Sequence, residues 1–194
     1  MGAMARLNAD RITREIADAI LNLLARPPRT DLPASRDPAA SARGLAHAAA
    51  AQAAVVSGGL ALPPGPLGWL TILPDLAAIW RLQSQAVADI AALFGRSATL
   101  SREQMLYCLF RHAAAHAVRD LAVRAGERLI VQRASLGVLQ RAAERIGVKI
   151  AERAAGAALV RWVPIVGALG VGAYAYYDTA QVGRTAIQVF GTAT

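Results

Sequence analysis

A chain of 194 residues is long enough to bury one sizeable hydrophobic core. Hydrophobic residues make up 55% of it, yet aromatics only 5%, and much of the remainder is alanine, a strong helix former and weak hydrophobe. That balance excludes a sheet protein and makes the positive mean hydropathy a sign of close-packed helices rather than of a membrane span. The net charge of +8 admits an anionic partner, and a single cysteine, Cys108, excludes an internal disulfide and fits a reducing cytoplasm.

Met1-Gly2-Ala3-Met4 reads as a cloning remnant ahead of a native start at Met4. Arg6 stands where a myristoylation signal requires Ser or Thr, and residues 5–18 are amphipathic, without the apolar core of a signal peptide. Ile12, Ile16, Ile20 and Leu24 lie four apart and predict an amphipathic helix over 10–25, stopped by Arg26-Pro27-Pro28. Residues 5–38 are thus expected to form a mobile N-terminal helix and Pro-containing linker, ahead of a helical domain over 39–194. A second helix is predicted over about 39–57, up to Gly58-Gly59, and Pro63-Pro64-Gly65-Pro66 is a hard break. The next helix starts at Pro74, runs to Phe94 and stops at Gly95. Ser101 and Gln104 have capping-box spacing and open a helix expected to continue to about Ile130. Helices over about 135–155 and 166–190 complete the chain, with no period-2 strand and no internal repeat. The expected fold is all-α, a compact bundle of six to seven helices with an apolar helical hairpin and a glycine-rich C-terminal helix.

Residues 73–95, LPDLAAIWRLQSQAVADIAALFG, carry Pro74, Asp75, Leu76, Leu82, Gln83, Ile90, Ala91 and Gly95 in an order that resembles the central signature of the bacterial EcsC family. Asp89 and Phe94 stand where that family often has Glu and Tyr, and Gln85 replaces a common Arg. A second block, residues 161–190, is similar to the family's C-terminal end through Pro164, Gly167, Gly170, Tyr176, Thr179, Ala186 and Phe190. The resemblance implies a helical bacterial protein without an established general activity. The family's name comes from association with an ABC-transporter operon, and some relatives suggest a role near membranes or lipids.

Between Arg43 and Arg81 the only charged side chain is Asp75. The two arms of this stretch are each shorter than the roughly 20 residues of a membrane span, so a core hairpin, a lipid-receiving surface and true insertion are weighed in that order. Trp69, Trp80 and Trp162 suit either a core or an interfacial belt. Asp75, after Pro74, suits a helix-start cap or a ligand head group, and lies about 21 Å along the helix from Asp89, too far for the two to act on one bond. Cys108, His112 and His116 are spaced four apart; His112 and His116 are weak metal candidates, and the H-E-x-x-H glutamate is missing. The glycines of Gly167-Ala-Leu-Gly170-Val-Gly172 suit close helix packing or room for an acyl chain.

Residues 101–162 hold eleven basic side chains against five acidic ones. Arg141, Arg145, Lys149 and Arg153, four apart, predict a ridge that is either a solvated face or an attractor of anionic phospholipid. No motif for nucleic acid is present. These features predict a non-enzymatic protein without a cofactor, cytoplasmic and peripheral at the inner face of a bacterial membrane. It would contact phospholipid or a fatty-acyl ligand through Trp69, Pro74, Asp75, Trp80, Gln83, Gly167, Gly170 and Tyr176. The alternative is an interaction module for a protein partner such as a transporter, effector or enzyme, with the N-terminal helix as its arm.

Overall fold

The computed structural model describes residues 2–60, 72–125, 128–157 and 164–191. Helices α1 (Gly2–Ala25), α2 (Pro38–Leu60), α3 (Ile72–Leu93), α4 (Arg102–Phe110), α5 (Ala115–Val118), α6 (Leu136–Ala157) and α7 (Pro164–Gly191) enclose one core, with a small hairpin of β1 (Ala122–Ala125) and β2 (Arg128–Val131) at its edge. The all-α expectation holds.

The N-terminal region departs from expectation. Ile16, Ile20 and Leu24 are buried in the same core as residues of α3, α4, α6 and α7, because α1 lays its apolar stripe against α6. The linker is tied down as well. Gln85 Nε2 donates to the Arg29 carbonyl at 3.0 Å, and the Ser35 N–H donates to the Leu93 carbonyl at 2.9 Å. Helix α1 is therefore a packed element of the bundle and not a mobile arm.

These tethers also fix helix directions. The chain before α2 meets the C-terminal end of α3, so α2 and α3 are antiparallel. On α3 and α7, Gln83 meets Thr179 and Phe94 meets Gly191, so those two run parallel. The C-terminus of α2 and the N-termini of α3 and α7 consequently share one end of the bundle.

The helix expected from Ser101 to Ile130 is the second correction. Its start is right: Ser101 caps α4, with Gln104 completing the reciprocal pair. It ends at Phe110, whose carbonyl accepts from both Ala113 and Ala114 as the chain turns. An uninterrupted helix would carry Val118 and Leu121 past the core, whereas the turn buries both. Core burial outweighs the helix propensity of the alanines here. Beyond Leu121 the chain pairs as antiparallel strands, Ala122 with Val131 through Ala125 with Arg128. Glu103 holds the return of this excursion, accepting from the Ala134 N–H at 3.1 Å. Burial alone would push its carboxyl up. The Ala134 and Glu103 N–H groups, the Ser101 hydroxyl and the Arg133 charge outweigh that and hold it below its usual 4.5.

Candidate functional site: a polar belt across the bundle

About one turn of α7, residues 176–179, presents polar side chains to three other elements. Tyr176 Oη lies 3.2 Å from His47 Nδ1 on α2. Asp178 Oδ1 lies 2.6 Å from His112 Nε2, in the turn after α4, and Asp178 Oδ2 accepts from Gln83 Nε2 of α3 at 2.8 Å. The same Gln83 amide donates to Thr179 Oγ1 at 3.1 Å. Gln83 and Thr179 are both 1% exposed, and the His112 and Asp178 side chains are each 17% exposed. His112 Nδ1 is buried and has no hydrogen-bond partner among the described residues. Gln83 and Thr179, matched in the two blocks of the resemblance, thus meet in one hydrogen-bonded cluster. Asp178 and His112 join it, and sequence reading missed their pairing, since 66 residues separate them.

This belt binds helices together. Cys108, one helical turn before His112, is completely buried. Burial pushes its thiol far above the ordinary range, more than the Arg111 charge lowers it, so it is inert as a nucleophile. The expectation that His112 and His116 share one helix face fails, because the helix breaks between them: His112 turns to Asp178 and His116 is exposed. Among the described residues no group of three His, Cys, Asp or Glu side chains is placed to hold a metal ion.

The other expected site residues scatter. Trp80 is core, edge-on to Phe110 with ring centroids 5.4 Å apart, and so offers no contact surface. Gln85, which stands where the resembled family has a common Arg, donates to Asp89 at 2.9 Å, one turn along α3. Pro74 is exposed. Trp69 and Trp162, the Asp75 and Arg153 side chains and the surroundings of Gly167 lie outside the described residues. Among the described residues a Cβ on Gly170 would meet nothing within 4 Å, so none of them packs closely there. Arg141, Arg145 and Lys149 are exposed on α6, with Lys149 bonded to Glu152 at 2.9 Å. The ridge belongs to the α1–α6 pair, while the uncharged segments belong to α2 and α7, so nearness in sequence does not make them neighbours.

The second feature of α2 and α7 is their surface. No Asp, Glu, Lys or Arg occurs from Gly44 to Leu60 or from Pro164 to Tyr177. On these packed helices Val55 is 76% exposed, Tyr177 60% and Tyr174 58%. Among the described residues no helix is long and apolar enough to cross a membrane. No family model, curated protein or solved structure matches the chain.

Proposed function

We propose that this is an EcsC-like, non-enzymatic helical protein that associates peripherally with the inner face of a bacterial membrane through the uncharged surface of α2 and α7. The observation that carries the reading is the exposure of Val55, Tyr174, Tyr176 and Tyr177 on two adjoining helices without a charged side chain in those stretches. Tyrosine suits the headgroup level of a bilayer, where its ring is buried and its hydroxyl stays wet. Surface docking is favoured over an acyl chain held inside the bundle. Two concavities among the described residues are open clefts of about 270 and 350 Å³, each lined in part by charged side chains. The interaction-module reading loses its motive, because the helix proposed as its arm is packed into the core.

Co-sedimentation of the intact chain with phosphatidylcholine vesicles, with and without phosphatidylglycerol, tests this. The chain should pellet with vesicles, and a Val55→Ser/Tyr177→Ser variant should partition about tenfold less, as expected from losing part of two apolar contacts. Absence of binding to both vesicle types, or an unchanged partition in the variant, would overturn the proposal.

A further inference from the structure

The break after α4 does more than turn the chain. It forms a cleft of about 270 Å³ lined by Tyr107, Arg111, Ala115, His116, Arg119, Ala122 and Leu129. Among the described residues that line it, every charged or ring-nitrogen group is basic and none is a carboxylate. Arg111 is half-buried and held from two sides. Its Nη1 donates to Gln188 Oε1 at 2.7 Å, and its guanidinium carbon lies 5.8 Å from the centre of the Tyr107 ring. Both anchors are uncharged, so among the described residues this guanidinium has no ion-pair partner. His116, exposed at the rim, has no hydrogen-bond partner among them either. Basic groups gathered around one small concavity raise its potential, and an anion seated there lowers it. A guanidinium fixed by neutral contacts keeps further N–H donors in a planar fork suited to an oxyanion.

We infer that this cleft binds a small phosphomonoester, with Arg111 on the phosphate oxygens and His116 at the rim. The walls of Ala115, Ala122 and Leu129 accept a short apolar substituent, and the volume limits the ligand to a few carbons beyond the phosphate. The site is independent of the α2–α7 surface. Gln188, which holds Arg111, lies twelve residues beyond Tyr176 on α7, about 18 Å along the axis. The same chemistry is offered by a soluble phosphoester and by a phosphatidic acid headgroup.

Calorimetric titration of the full chain with glycerol 3-phosphate, and with inorganic phosphate, tests the site. Binding should be saturable and fall about tenfold or more in Arg111→Gln, as expected for a lost charge-assisted bond. His116→Asn, at an exposed position with little bearing on folding, should weaken it too, while Arg141→Gln on α6 should leave it unchanged. Vesicles of phosphatidylcholine with phosphatidic acid provide the second arm. Recruitment lost in the same cleft variants, without calorimetric binding of the soluble esters, assigns the phosphomonoester to a lipid. No binding of the soluble esters at about 10 mM together with no cleft-dependent recruitment overturns the inference. Equal weakening by Arg141→Gln also overturns it, because overall charge would then be responsible.

Discussion

Asp178 accepts hydrogen bonds from two elements at once, the Gln83 amide of α3 and the His112 ring after α4, and no second carboxylate bonds either of them among the described residues. Gln83 would keep only Thr179 Oγ1 if that carboxylate were removed. His112, whose Nδ1 lacks a partner among the described residues, would lose the hydrogen bond at its other ring nitrogen. A buried donor left without its acceptor costs more than an average hydrogen bond contributes. Asp178→Ala is therefore expected to destabilise the fold by about 2–3 kcal/mol, read from urea denaturation near neutral pH. A loss below about 0.5 kcal/mol would mean that water replaces the carboxylate and that the belt is not a structural clamp. Sequence reading could place Gln83 and Thr179 in shared blocks, but it had no signal for Asp178 meeting His112. That contact depends on a helix break which local propensity does not encode.

At the scale of elements, the α2–α7 pair depends on one glycine. A Cβ on Gly183 would stand 2.5 Å from Ala46 Cβ and 3.4 Å from Ala46 Cα. Alanine has no rotamer through which to retreat, so the two helices would have to part. Gly170, on the same helix, has nothing within 4 Å of the corresponding position. The same substitution should thus have opposite signs. Gly170→Ala gains helix propensity and is expected to stabilise by up to about 1 kcal/mol. Gly183→Ala has that gain cancelled by overpacking and is expected to destabilise by about 1–3 kcal/mol. Thermal unfolding of both variants checks this, and a rise in Tm for Gly183→Ala would contradict the packing described.

The two glycines also mark what was legible. Helices α1, α2, α3, α6 and α7 were readable from apolar spacing and from their Pro and Gly stops. The dense cluster Gly167–Gly172 drew the expectation of close packing; Gly170 within it is exposed, and the tight approach at Gly183 occurs in an ordinary stretch. The hairpin of β1 and β2 was hidden because its strands are four residues each and come after an alanine-rich run.

Over the whole molecule, α1 and its linker are either an appendage or part of one cooperative unit, and their burial favours the second. Ile16 is 1% exposed, Ile20 0% and Leu24 3%, and the α6 residues Leu139, Ala143 and Ile146 are buried in the same core. Closeness of backbones supports the same conclusion, since a Cβ on Gly147 of α6 would come within 2.7 Å of the Thr13 carbonyl oxygen of α1. Removing residues 1–27 would forfeit about 2–3 kcal/mol for each of the three large side chains and expose the α6 face beneath them. The total is comparable to the roughly 5–15 kcal/mol by which such a domain is stable. The full chain is therefore expected to unfold in one transition, with far-ultraviolet circular dichroism and tryptophan fluorescence tracing the same curve. The shortened chain should show no cooperative transition at all. A truncated protein that stays monomeric and helical and melts sharply within about 4 °C of the full chain, a shift that corresponds to only about 1–2 kcal/mol, would show that α1 only rests on the bundle. In that case the tethers through Arg29 and Ser35 would be the feature in need of another explanation, since they align the linker with α3 without contributing to its stability.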